Sequence, residues 1–418
     1  MKHAESRHFM TTKRIYRTDQ YETECKAIIC AVRTKGGHDI IACDTSVFYP
    51  EGGGQPSDTG TVALGDKLYE VTSVHDEGLE GPVWHYTDAP EGTFVSGDEV
   101  TQTIDRDLRF RNMQRHLGEH MLSGTMYSLF EGTNKGFHMG EDYITIDIDL
   151  GGRMLTEEEL DLAERTVNEA IWADLPVTVK WFENYEASRV MPVRKAVPHD
   201  GRVSVVTVGD LDDPYDCIAC CGTHPSSSGQ VGLLSIYKCE PNKGMNRIYF
   251  DCGKAALDHL SEESRILAEI ARRHSCKSRD LPGRLDKEAE NNKELRGRLA
   301  DLASYAADRE RAAILADVAD SGASVYTYTS ELFSPDELLK LGFAAAAEAP
   351  GMLFILMQPA AGTCLLVSSG EAKCGRLVKE NAQAYNGRGG GRDDNARAMF
   401  SDVSDMKAFA RALTEMVQ

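Results

Sequence analysis

The chain has 418 residues, 41 % of them hydrophobic and 27 % charged, with a net charge of −20, so two to four soluble domains are expected, and the charge disfavours non-specific nucleic-acid binding and leaves any such partner to local patches. No run of ~18 apolar residues occurs and MKHAESRHFMTTKR lacks the apolar core of a signal peptide, which predicts a cytoplasmic protein with no membrane partner. Eleven cysteines scattered along the chain point to reduced thiols and metal ligation rather than a disulfide framework.

From the N-terminus, residues 14–105 alternate short β-patterned runs (ECKAIICAVR, HDIIACDTSVFYP, KLYEVTSVHDE, GPVWHYTD) with Gly, Asp and Pro turn signals. This predicts a small β-barrel or sandwich. Inside it lies FYPEGGGQPSDTGTV, where Gly52, Gly53 and Gly54 let a ligand or a neighbouring domain approach the backbone closely. An ordinary glycine loop fits the same residues. The lysine and Ser/Thr of a phosphate-binding P-loop are absent.

Residues 106–255 mix helix and strand and read as an α+β domain. RNMQRHLGEHMLSGTMYSLF has Met113, Leu117, Met121 and Leu122 at helical spacing, which puts His116 and His120 on one face. Strand YITIDIDL follows, then a helix with Thr156 as N-cap and Glu159 three residues on, then strands near PVTVKWF, RVSVVTV, GLLSIY and NRIYFDC. In Cys220-Cys-Gly-Thr-His224 a second pair of ligands sits on a tight loop. HxxxH alone is commonly two surface histidines, and CxxxH alone says no more. Together they supply three imidazoles and a thiolate, a set suited to Zn²⁺ and poorly suited to magnesium or calcium. Cys217 and Cys220 also form a CxxC, which admits a redox pair.

Residues 256–312 turn helical, with leucines 281, 285, 295, 299 and 302 near a 4-3 spacing and Pro282 in the first turn, the pattern of a helical or coiled arm. Residues 313–418 alternate strand and helix, with a capping box at Ser334 to Glu337. Segment 371–400 carries six basic and four acidic residues. Its loop from Asn386 to Arg392 offers N–H groups, and Arg388, Arg392 and Arg397 offer guanidinium forks, to phosphates. Solvated arginines on a surface turn are the plain alternative.

FYPEGGGQPSDTG, the HxxxH helix, YDCIACCGTH, SSSGQVG and NRIYFDCG together resemble the editing half of alanyl-tRNA synthetases over residues 40 to 255. The helical arm and NGRGGGRDDNARAMF are similar to the C-terminal, DHHA1-like domain of those synthetases. No class II aminoacylation core accompanies them, so the chain looks like the long form of the free-standing AlaX-type editing proteins. The resemblance implies a trans-editing hydrolase acting on tRNA(Ala) mischarged with serine or glycine, a homodimer through the arm and C-terminal domain, and zinc at His116, His120, Cys220 and His224. It also implies substrate contacts at Gly52, Gly53, Gly54, Gln55, Asp216 and Thr223, with Arg388, Arg392 and Arg397 on tRNA. Cys221 stands where the family has glycine, and Leu117 and Glu119 stand where it often has small, hydroxylated or amide residues.

An aminoacyl ester is already activated, so a positioned water and a Lewis acid suffice to hydrolyse it. Four protein ligands close a tetrahedral zinc, so catalysis needs either one weak ligand or a metal that orients substrate or expands its shell. Glu119, one residue before His120, is a candidate general base for the water, against the plainer reading of a carboxylate facing solvent or Arg115. Two other functions share these residues: a non-catalytic tRNA-binding protein with structural zinc, and an HxxEH zinc peptidase with Glu119 as base.

Overall fold

A computed structural model describes residues 11–195, 201–370 and 372–417. They form two compact units, one ending at Leu267 and the other beginning at Ala268. Among the described residues no helix is long and apolar enough to cross a membrane.

Six strands of the first unit, β1 (Glu24–Lys35), β2 (His38–Cys43), β3 (Gly60–Leu64), β4 (Lys67–Asp76), β5 (Val83–Pro90) and β6 (Glu99–Ile104), act together. They close a barrel in the order β1-β2-β5-β4-β3-β6, which leaves no open edge. In β6 the buried residues Val100, Gln102 and Ile104 alternate with more exposed ones, the period of a strand with one face inward. Ile29, Ile41, Phe48, Val62, Val74 and Val100 fill the interior. The barrel expected from the turn-punctuated runs is therefore present.

Asp105 then caps helix α1 (Arg106–Phe130), its side chain accepting from the Leu108 N–H. Every residue from Arg115 to Met126 is buried, so α1 is enclosed on all sides, where the sequence pattern suggested a single apolar face. Around it lie β7 (Thr133–Met139), β8 (Ile144–Asp149), α2 (Glu157–Trp172), β9 (Val177–Phe182), β10 (Val203–Gly209), β11 (Pro214–Ala219), β12 (Leu234–Asn242) and β13 (Met245–Cys252). One sheet runs β12-β13-β8-β7 and a second runs β9-β10-β11. Leu117, Met121, Leu122 and Met126 pack on Ile144, Ile146, Ile248 and Phe250. Thr156 and Glu159 form the expected capping box at the start of α2.

Helix α3 (Gly253–Arg273) leads on, and the second unit contains α4 (Leu281–Ser321), whose Leu285, Leu295, Leu299 and Leu302 are exposed. Its sheet has the order β14 (Val325–Thr329), β15 (Leu353–Gln358), β16 (Thr363–Ser368), β18 (Asn395–Met399), β17 (Arg388–Gly391). Helix α5 (Pro335–Glu348) opens with the expected box at Ser334 and Glu337. Helices α6 (Cys374–Asn381) and α7 (Val403–Val417) complete the unit. One expectation is corrected here. Most of the glycine-rich run expected as a loop is strand β17, paired antiparallel with β18, because glycines fit an edge strand when the partner's backbone lies close. Arg388 and Arg392 are exposed, whereas Arg397 pairs with Asp336 at 2.6 Å.

A buried ion pair fastens the barrel to α1. Arg109 Nε lies 3.0 Å from both oxygens of Asp58, its Nη2 also bonds that carboxylate, and Asp58 in turn accepts from the Tyr49 N–H. Both side chains are essentially inaccessible to water. Replacing Arg109 by Met strands a buried carboxylate, so urea unfolding should show the first unit destabilised by about 3–5 kcal/mol. A loss below about 1 kcal/mol would mean that other contacts hold loop and helix together.

Candidate metal centre

His116 and His120 lie four apart on buried α1, and Cys220 and His224 lie on the loop that leaves β11. Their ligand atoms all fall within 4.8 Å of one another. Cys220 Sγ is 3.3 Å from His116 Nε2 and 3.6 Å from His224 Nε2. A tetrahedral zinc with Zn–N near 2.05 Å and Zn–S near 2.3 Å separates its sulfur and nitrogen ligands by about 3.5 Å. Nε2 of His120, the ring nitrogen turned away from Glu119, is buried without a hydrogen-bond partner. The donor set and this orphaned nitrogen fit a zinc ion.

Charge prepares the set. Burial opposes ionisation of the Cys220 thiol, but His116 and His120 outweigh it and hold the pKa well below the usual thiol range. Burial pushes His224 down to about 4, leaving its ring neutral and able to donate a lone pair. His120 is raised to about 10, since Cys220 and Glu119 overcome its burial. A metal must displace that proton, the usual coupling of metal binding to proton release.

The frame is built from pieces distant in sequence. Gly52 and Gln55 pair across a tight turn, with Gly53 and Gly54 at φ +61° and +85°. The turn delivers Gln55, whose Oε1 accepts from His116 Nδ1 at 2.8 Å and from the Thr223 N–H at 3.1 Å. Its amide donates to Thr223 Oγ1 at 2.8 Å. One buried side chain thus sets the His116 ring so that Nε2 faces the metal position. At Gly54 a Cβ would fall 2.5 Å from the Phe137 ring, and Phe137 stacks on His116 with centroids 5.6 Å apart. At Gly222 a Cβ would lie 2.1 Å from His116 Cε1.

Glu119 neither faces solvent nor pairs with Arg115, which bonds Asp251 instead. It is buried, with Oε2 2.8 Å from His120 Nδ1 and Oε1 accepting from Ser123 Oγ and Asn134 Nδ2. The imidazole and the Ser123 hydroxyl outweigh burial and hold its carboxyl down to about 2. Asp216 is buried against Arg194 at 2.7 Å. Cys217 is buried in an apolar cluster with Val203 and Val205, and Cys217 and Cys220, the two thiols of the CxxC, are both free.

A pocket of about 490 Å³ opens onto His116, Glu119, His120 and Cys220, with Phe137, Val203, Ile218 and Ala219 among its walls. Of the expected substrate-contact residues, Gly53 lines it. Gln55, Thr223 and Asp216 are buried behind it as supports, and Arg388, Arg392 and Arg397 belong to the second unit. Asn134, Ser123, Lys135, Arg194, Lys195 and Arg202 were not singled out in the sequence. None belongs to a ligand motif, and only the fold carries them to the site.

Residues 5–108 match the family "tRNA synthetases class II (A)", and residues 203–249 match "Threonyl and Alanyl tRNA synthetase second additional domain". The chain is 30 % identical to the alanine–tRNA ligase of Pyrococcus abyssi over 97 % of its own length and 44 % of the ligase. It is 29 % identical to the alanyl-tRNA editing protein AlaX-L of Pyrococcus horikoshii over 60 % of each chain, and 29 % identical to the Archaeoglobus fulgidus alanine–tRNA ligase over 95 % of its length and 43 % of that ligase. The chain thus spans about half the length of the curated relatives it matches.

If the frame presets the ligands, Gln55→Ala should weaken zinc affinity roughly 10–100-fold while leaving the far-UV spectrum unchanged. Gly222→Ala, which presses on His116, should lose zinc as well. Competition with a chromogenic chelator measures both, and unaltered affinity in the two variants would show that the ligands need no such support.

Proposed function

We propose that this homologue of alanine–tRNA ligases and of an alanyl-tRNA editing protein is an editing hydrolase, which deacylates tRNA(Ala) mischarged with serine or glycine. The observation that carries the reading is that three candidate ligands, His116, His120 and Cys220, face one pocket. A zinc enclosed for structure alone has no need of such an opening. When bound, zinc supplies Lewis acidity toward an ester carbonyl and toward water.

The chain's own residues do the rest. Phe137, Val203, Ile218 and Ala219 give the acyl group an apolar wall and limit bulk water, which strengthens electrostatic interactions inside the pocket. The pocket's size suits a small aminoacyl ester rather than a peptide. Glu119 is better read as a positioning residue than as the general base suggested by the helix geometry. Its Oε1 is held by two donors and its Oε2 lies against His120, so it fixes the ring and raises the basicity of the ligand nitrogen. The same contacts weigh against the HxxEH peptidase, whose glutamate must be free to take a proton from water. Arg388 and Arg392, exposed in the second unit, are proposed to contact the tRNA backbone.

Seryl-, glycyl- and alanyl-tRNA(Ala) offered to the zinc-loaded protein should show hydrolysis of the first two. Stripping the metal should lower the rate by more than about 100-fold, and zinc should restore it. Binding of all three without turnover would leave a tRNA-binding protein with structural zinc. Glu119→Gln separates its two roles. As a positioning residue its loss weakens zinc affinity about 10–100-fold, whereas loss of a base lowers kcat by ~10²-fold with zinc affinity intact.

A further inference from the structure

The mouth of the pocket has a charge opposite to that of the chain. Lys135, Arg194, Lys195 and Arg202 line it, with Glu119 as the acidic residue among the lining side chains. Arg194 is taken up by buried Asp216, but a chain at −20 that keeps Lys135, Lys195 and Arg202 exposed around one opening has concentrated positive potential there.

How Lys135 reaches the mouth is unusual. In the pairing of β7 with β8, Gly136 stands opposite Asp147 and Asn134 opposite Ile148, so Lys135 is the extra residue of a β-bulge. Regular alternation sends neighbouring side chains to opposite faces. The bulge breaks that rule, and Asn134 and Lys135 both line the pocket. Asn134 reaches inward to Glu119 while Lys135 stays exposed. A bulge that re-aims a side chain beside a site is a built feature.

Two more cations flank it. Lys195 Nζ donates to the Asn134 carbonyl at 3.3 Å, which brings a second ammonium group beside the bulge. Arg202 lies over the Trp181 ring at 5.3 Å and shares the Glu80 carboxylate with Arg17, at 3.5 and 3.7 Å. Two guanidinium groups against one carboxylate leave a positive remainder. The floor is different: candidate metal ligands and apolar walls suit an uncharged acyl ester, while the cations stand at the opening. This division suits a substrate with its reactive ester at one end and a chain of phosphates behind it.

We propose that Lys135, Lys195 and Arg202 form a phosphate-binding rim that grips the single-stranded phosphodiester tail carrying the ester, with the bulged Lys135 as its anchor. The proposal rests on the editing reading and names the residues by which this pocket holds the nucleic acid.

Binding alone tests it. A fluorescent acceptor-stem minihelix ending in its uncharged 3′ tail is titrated with the full-length zinc-loaded protein at several salt concentrations. Lys135→Ala and Lys195→Ala should each weaken binding several-fold at low salt and flatten the log Kd against log salt slope by about 0.7, the loss of one single-strand phosphate contact. Lys135→Arg should restore both. Slopes equal to the parent's in both alanine variants would overturn the rim. Deacylation by the same preparations keeps the two claims apart. A parent that binds with the steeper slope but releases no serine sinks the editing reading and spares the rim. A parent that releases serine, with variants of unchanged slope, does the reverse.

Discussion

The site depends on the buried amide of Gln55. Its carbonyl takes the outer proton of His116 and the Thr223 N–H, and its NH₂ group donates to the Thr223 hydroxyl. Three segments far apart in sequence, the barrel's glycine turn, helix α1 and the loop after β11, therefore meet at one side chain. A buried amide must satisfy its polar atoms locally or lose on the order of 1–3 kcal/mol for each that is left unmade. The folded arrangement that satisfies Gln55 is also the one that turns His116 Nε2 toward Cys220. Asp58 and Arg109 clamp the same turn to the same helix, so barrel and metal frame are set together.

Much of this was legible in the sequence where the signal is local. The caps at Thr156 and Ser334 and the barrel's alternating strands each depend on residues within a few positions of one another. The four candidate ligands could be picked out because HxxxH and CxxxH carry their chemistry in their spacing, and the fold brings their ligand atoms within 4.8 Å of one another. What escaped depends on contacts across the fold. A helix surrounded on every side cannot be told from a one-faced helix by periodicity, because Arg115 and Glu119 are polar residues whose partners Asp251 and Asn134 come from other elements. Glu119 was placed near the metal's water, yet one of the donors that occupy its oxygens, Asn134, arrives from strand β7. Lys135 was invisible because a bulge is a property of pairing between two strands, not of either one. The run from Asn386 to Arg392 looked like a loop for its glycines, but the partner strand β18 determines its conformation.

The glycine turn shows how one motif supports two readings. Its positive φ values are what a tight turn demands. The missing Cβ of Gly54, however, serves Phe137 rather than a ligand, letting the ring stack on His116. The turn therefore acts on the candidate chemistry through the protein's own side chains. The electrostatics follow the same division, with negative charge spread over the chain and positive charge gathered at the opening of one pocket.

The central claim is that three imidazoles and one thiolate from these segments hold a single zinc at the floor of that pocket. Zinc K-edge absorption on the zinc-loaded full-length protein tests it directly. The expected first coordination shell holds about three nitrogen neighbours near 2.0–2.1 Å and one sulfur near 2.3 Å, with the sulfur signal lost in Cys220→Ser and retained in Cys217→Ser and Cys221→Ser. A shell with two or more sulfurs, or one of oxygens alone, would contradict it.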